Sequence, residues 1–305
     1  MSTVITSTSA EHLQLRTATP SFLGILRGEL FKISRQWTTW IMSVLLLGVI
    51  VLPYIVLGTA PNIKEQLRLT PLHFFYNETQ IGFSVLRVFC GIFLLILTAY
   101  VIGSEYQLGT IRILLARGVG RLQLLAAKLL AIVTVALILF VVGVLLNAAL
   151  LCLLVAALAG NLNAFSTLTA DFWSNTWLYA LTVLISMGVT ILMATAVTVI
   201  ARSLSFGLSA ALGWFPVDNI GLIFLMLGFR ITQNDVWRNV SAYVLGPNLN
   251  VMPAVLLPAS IRPNSIGITP LVEVSGVHTL WVALIYALIF AVVAVALTWR
   301  RDVKE

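Results

Sequence analysis

Charge is what this sequence has least of. Charged residues fill 10 % of its 305 positions and hydrophobic residues 60 %, whereas soluble domains carry about 25 % charged residues. With a mean hydropathy of +1.02, the chain lacks the polar surface that a water-soluble fold needs. Acidic groups are the scarcer sign, eleven against eighteen basic ones. Cysteine is nearly missing too: Cys90 and Cys152 both fall in apolar stretches, which argues against a disulfide framework. The four lysines follow Phe31, Ile63, Ala127 and Val303, so none can complete the Gly-Lys of a phosphate-binding P-loop. His12, His73 and His278 form no His-Glu-x-x-His and have no cysteine close in sequence, which argues against zinc. No Gly-x-Ser-x-Gly elbow occurs, and the spacing begun by Gly118 and Gly120 finds no third glycine. Neither nucleotide hydrolysis nor a bound cofactor or metal is expected of this chain.

What is present in quantity is long apolar sequence. Six stretches qualify as membrane spans, at about 38–60, 81–103, 124–157, 177–201, 205–229 and 278–299, since a hydrocarbon core of about 30 Å takes about 20 apolar residues per helix. Lipid offers no hydrogen bonds to exposed backbone, so each must be a helix. The expectation is an all-α polytopic membrane protein with six transmembrane helices. Twelve Lys and Arg fall on one side, in the N-terminal arm, the second and fourth connections and the tail, and five on the other. The positive-inside rule then puts both termini in the cytoplasm. The net charge of +7 reads as this bias plus attraction to anionic membrane lipid, not as nucleic-acid binding.

The chain divides accordingly. Residues 1–19, rich in Ser and Thr, read as a disordered cytoplasmic tail. Over 20–37, Phe22, Leu26, Leu30, Ile33 and Trp37 recur at helical spacing with Arg27, Lys32 and Arg35 between them. That pattern suits an amphipathic helix lying at the membrane interface, or a cytosolic helix packed on a partner. The transmembrane domain covers 38–299, and 300–305 is a short cytoplasmic tail. The third apolar run exceeds one membrane thickness, so its helix is expected to start below the membrane with Lys128 snorkelling at the interface. Within the proline-rich outer segment 230–277, the run Leu249 to Leu257 is too short to cross and reads as a re-entrant or interfacial piece over a vestibule. No internal repeat is visible. Trp37, Trp40, Trp173, Trp177, Trp281 and Trp299 fall near span ends, as interfacial anchors do.

Between spans two and three lies a basic, helix-prone island, 104–128. Glu105 stands where a helix would start, favourable at the positive dipole end. Ile111, Leu114, Leu115, Leu122 and Leu125 supply an apolar face, and Arg112, Arg117 and Arg121 a cationic one. The break Gly118-Val119-Gly120 predicts two short helices meeting at a bend. By residue type alone the island is either a force-transmitting piece or a basic loop held by headgroups.

Two ionisable residues lie inside predicted spans, Arg87 and Asp218, and a charge at such depth calls for a partner. An Arg87–Asp218 ion pair, within or between subunits, is one expectation; Arg87 snorkelling outward, with Asp218 in a hydrated break, is the other. Pro216 argues for a break in span five, because it removes the bond to the Leu212 carbonyl. Gly207 with Ala211, and Ser209 with Gly213, offer small faces for close helix contact, inside one chain or between two. Asn147 reads as an interhelical hydrogen-bonding group more than a cargo ligand.

The pattern Glu105-(x)3-Gly109-Thr110-x-Arg112-(x)2-Leu115, followed by Gly118-(x)2-Arg121 and Lys128, resembles the signature of ABC type-two export permeases. That family often has Pro-Val-Ser-Arg at the turn, where this chain has Gly118-Val119-Gly120-Arg121. Glu29 to Lys32, Arg35 and Trp40 resemble the family's helix leading into the membrane, and Arg300-Arg301-Asp302 its ending. The resemblance implies a permease in the plasma (inner) membrane without its own motor. A cytoplasmic ABC ATPase, binding ATP and Mg, would dock on a coupling helix in the island. Glu105, Tyr106, Gly109, Thr110, Arg112, Arg117, Arg121 and Lys128 are the implied coupling residues, and a second permease subunit, identical or related, would complete the path. Rival readings are an ATP-independent secondary transporter or channel, which usually shows paired repeats, a structural subunit of a membrane complex, and a membrane enzyme.

Overall fold

Every regular element in the computed structural model, which describes residues 21–263 and 267–300, is a helix. α1 (Phe22–Ser34) leads into α2 (Trp37–Gly58), and α3 (Ile63–Leu69) is a short connector ahead of α4 (Pro71–Gln107). α5 (Thr110–Ala116) joins α4 to α6 (Arg121–Ala159), and α7 (Ala170–Ala201) is followed closely by α8 (Leu204–Thr232). α9 (Val236–Ser241) and α10 (Leu245–Leu256) precede the last helix, α11 (Gly276–Arg300). The expected disordered stretch 1–19 and the tail beyond Arg300 lie outside the described residues.

Local signals set the helix ends. Ser21 caps α1, its Oγ accepting from Gly24 N at 3.1 Å, and Thr169 caps α7 by accepting from Phe172 N at 3.2 Å. Pro71 opens α4, where its missing N–H would be unpaired anyway. Gly160, at φ +71°, ends α6 in the left-handed conformation that closes many helices.

The helices α2, α4, α6, α7, α8 and α11 are each long and apolar enough to cross a membrane. They coincide with the six apolar stretches, although α4 starts ten residues earlier than expected. α6, at 39 residues, measures about 58 Å. α4 and α7 form the centre: α4 packs on α2, α6, α7 and α8, and α7 also on α8, α10 and α11. Phe75, Leu86, Leu94, Leu95, Ile132 and Met193 fill the space between them. The outer faces of α2, α8 and α11 expose Val44, Leu45, Phe224, Ile223, Leu288 and Val292, an apolar surface that only lipid or another membrane helix can cover. Trp37, Trp40, Trp173, Trp177, Trp281 and Trp299 are exposed near helix ends.

The expected break in span five is absent, and one of the two readings of its small face holds. α8 runs unbroken through Pro216, because in lipid an unravelled turn would orphan several backbone groups whereas proline orphans one carbonyl. The small face at Gly207 packs inside the chain. A Cβ there would sit 2.9 Å from Thr198 Oγ1 of α7, and Ala211 is fully buried.

Candidate functional site

Because spans alternate in direction, α1 and α5 share one end of the bundle, and α3, α9 and α10 the other. At the first end four charged side chains converge from three helices. Glu29 and Lys32, one turn apart on α1, present neighbouring head groups, and Lys32 Nζ donates to Glu29 Oε1 at 2.7 Å. Lys128, in the second turn of α6, donates to Glu29 Oε2 at 2.9 Å and to the Val101 carbonyl at 3.0 Å, and lies 2.9 Å from Glu105 Oε1. Lys32 also reaches Glu105 Oε1 at 2.9 Å. Glu29, Glu105 and Lys128 are buried, and Lys32 is half-buried.

This closed ring of two anions and two cations is electrically neutral, which is what lets it sit out of water. Burial acts to raise the Glu29 carboxyl, but the Lys128 charge and the hydrogen bonds from Lys32 and Lys128 outweigh it and hold the group below the ordinary carboxylate value. Burial likewise acts to lower Lys32, and its bonds to Glu29 and Glu105 overcome that and raise it.

The ring corrects two expectations. Glu105 lies in the last turn of α4, not at a helix start. A carboxylate at that negative dipole end is unfavourable alone, and two ammonium groups compensate it. Lys128 does not snorkel outward; its side chain is only 5 % exposed and its ammonium meets Glu29, Glu105 and the Val101 carbonyl.

α5 adjoins the ring. Gly109, at φ +66°, turns the chain from α4 into α5, a conformation that costs a side-chain-bearing residue about 1 kcal/mol or more. The island holds one short helix, not two: after Gly118, at φ +83°, the chain enters α6 directly at Arg121. The predicted coupling residues divide between two clefts beside α5. One of about 410 Å³ is lined by Glu29, Lys32, Glu105, Thr110, Leu114 and Lys128. The other, of about 200 Å³, is lined by Tyr106, Gly109, Arg112, Arg121 and Arg202. Arg121 Nη1 also donates to the Trp299 carbonyl at 3.4 Å, linking α6 to α11. Arg117 caps the exposed C-terminal end of α5 and lines neither cleft.

A second constellation surrounds α10. Arg87 and Asp218 do not pair within the chain; each holds α10 instead. Asp218 Oδ2 accepts from Gly246 N at 2.8 Å, putting a carboxylate on the positive end of that helix. Arg87 donates to the Leu249 carbonyl and, at 3.3 Å, to Asn250 Oδ1. The Leu249 carbonyl is the one orphaned by Pro253, four residues on and without an N–H. The expected outer apolar piece is thus this helix, packed against α7, α8 and α11.

Asn147 on α6 accepts from Tyr54 Oη of α2 at 3.1 Å and donates to the Gly143 carbonyl at 2.8 Å. Glu78 escaped sequence reasoning: it is 2 % exposed within α4, with Asn77 Nδ2 donating to Oε1 at 3.1 Å. The three preceding aromatics, Phe74, Phe75 and Tyr76, are the signal that the helix already packs there.

Six apolar helices, an apolar outer surface and sparse intramembrane charge define a polytopic membrane protein of the permease kind. Residues 25–240 match the family model described as ABC-2 family transporter protein, so the chain belongs to that family. Comparison with individual curated proteins gives no match. Membrane subunits of this family work in general with ABC ATPase subunits.

Proposed function

We propose that this chain is the membrane-spanning subunit of an ATP-driven exporter, inserted in the plasma (inner) membrane with both termini in the cytoplasm. It forms the translocation path, pairs with a second permease subunit, and receives force from a separate cytoplasmic ABC ATPase that holds ATP and Mg. The twelve-to-five bias of basic residues supports the orientation.

The observation that carries the reading is the ring of Glu29, Lys32, Glu105 and Lys128. It ties α1, the end of α4 and the start of α6 into one unit beside α5. A motor pressing on α5 from below moves the ends of two central spans together, because buried ion pairs resist separation. α1 lies in the interface as part of this lever, and α5 is the coupling helix, its exposed Arg112 and Arg117 offered to the motor. Export of an amphiphile suits the apolar walls, since such a cargo can enter from the bilayer.

The test is purification of the full-length chain from its native membrane. A stoichiometric ATPase in the complex, with hydrolysis that drives transport, supports the reading. Arg112→Ala and Glu105→Ala should leave insertion intact and uncouple hydrolysis from transport. Wild-type transport in both variants refutes the coupling role.

A further inference from the structure

A cavity of about 360 Å³ lies between α4, α7, α8 and α10, within the range of small-molecule sites. Its walls are mostly apolar. Arg87 stands at the α10 end and is occupied in holding that helix. Deeper in, the polar groups are neutral and belong to α7 and α8.

Ser186 and Thr190 are one turn apart on α7, so they share a face, and both line the cavity. They are only 8 % and 1 % exposed. A Ser or Thr inside a helix can donate its hydroxyl to the carbonyl three or four residues back. On this same helix Thr182 donates to the Tyr179 carbonyl and Thr195 to that of Ile191, each at 2.7 Å. Among the described residues, the hydroxyls of Ser186 and Thr190 have no hydrogen-bond partner. Pro216 of α8 adds an acceptor, since it has no N–H for the Leu212 carbonyl, and both of these residues line the walls.

These groups are remote from bulk water. Ser186 and Thr190 stand 15 and 11 residues before Ala201, the end of α7, or about 22 Å and 17 Å along the helix. A hydroxyl so placed costs free energy until something bonds it. One water fills about 10–15 Å³ of cavity, so the space far exceeds what hydrating two hydroxyls requires. A Cβ added at Gly91 would meet nothing within 4 Å, and Ile92 beside it is 39 % exposed. The cavity therefore approaches the membrane-facing surface there.

We propose that this cavity binds an uncharged amphiphile with an apolar body and a hydroxyl head. The head bonds Ser186 and Thr190, and the body passes Gly91 toward the membrane beside Ile92. A hydroxyl both donates and accepts, which suits two protein hydroxyls and the Leu212 carbonyl together. The inference deepens the permease reading and rests on it for transport of the ligand, though not for its binding.

The full-length chain in lipid nanodiscs, without a motor, is titrated with 1-dodecanol and with dodecane, which share one tail, and uptake by empty nanodiscs is subtracted. In the double variant Ser186→Ala/Thr190→Val, dodecanol should lose about fivefold in affinity relative to dodecane, the scale of one neutral hydrogen bond. Its melting temperature should not fall, because neither hydroxyl bonds the protein. Gly91→Leu fills open space in a helix, so it should keep the wild-type melting temperature while weakening both probes. An unchanged ratio of the two affinities in the double variant overturns the proposal, as does a lowered melting temperature there. Undiminished binding to the folded Gly91→Leu protein overturns it too. Displacement of dodecanol by dioleoylglycerol identifies a neutral bilayer lipid as occupant and retention a transported amphiphile; both support the site. Failure of an ATPase to co-purify would instead refute the exporter reading and leave the binding result standing.

Discussion

Replacing Lys128 with methionine removes the cation at the centre of the charged ring while keeping its length and apolar stem. The ammonium meets Glu29 Oε2 and Glu105 Oε1 at 2.9 Å each and the Val101 carbonyl at 3.0 Å. At an effective dielectric of 20, each ion pair at that distance is worth about 6 kcal/mol before desolvation is charged against it. Without Lys128, two buried carboxylates face each other with only the half-exposed Lys32 between them. Breaking a buried pair from one side costs about 3–5 kcal/mol, so Lys128→Met should strongly lower the melting temperature of the detergent-solubilised protein. Combining it with Glu29→Gln removes the most exposed consequence, an uncompensated anion, so the double variant should be less damaged than the two single effects added together. The pH profile carries the same signature. Glu29 is held below its ordinary value, so its contribution is complete above about pH 4.3 and lost as pH falls through the lower folded value. Lys32 is raised, so its share is complete below about pH 10.4 and lost as pH rises through the raised value. A melting temperature unchanged by Lys128→Met, or strict additivity with Glu29→Gln, would refute the ring as a structural unit.

Three further outcomes follow from geometry. Asp218→Leu should loosen α10, losing the bond to Gly246 N and leaving that N–H unpaired, at about 1–3 kcal/mol; faster labelling of a cysteine placed at Asn250 measures it, and Asp218→Asn should be milder. Gly82→Ala would put a methyl carbon 2.3 Å from Asn147 Oδ1, costing about 1–3 kcal/mol by overpacking, and Asn147→Ala added to it should recover part of the lost melting temperature. Gly109→Ala forces a side chain into the left-handed region, at about 1–2 kcal/mol, and should reduce transport more than membrane insertion, as read by paired transport and expression assays.

The spans were legible because hydropathy reports lipid contact directly, and all six helices stand where the apolar runs lie. Their ends were less so. α4 reaches back to Pro71 through Phe74, Phe75 and Tyr76, where a mixture of aromatic and polar residues hides a helix buried against α6 and α7. The charged side chains were found but not their partners. Arg87 and Asp218 both address the backbone of α10, and a carbonyl acceptor or N–H donor of the main chain leaves no mark in side-chain composition. Pro253 was the one available clue, since a proline four residues after Leu249 guarantees a carbonyl in need of a donor. Lys128 looked like a snorkelling residue because its nearest acidic partner on α1 lies far away in sequence, and periodicity within one helix says nothing about a neighbour.

The ring also sets an order on biosynthesis. Glu29 leaves the ribosome 99 residues before Lys128, which at about 5–20 residues per second is an interval of about 5–20 s. For most of that time the first helix has its own Lys32 but neither long-range partner; Glu105 follows Lys32 by 73 residues, and Lys128 comes last. Its docking is therefore a late event that waits for the third span to arrive, and a nascent chain halted before Lys128 would carry an N-terminal helix still unlatched.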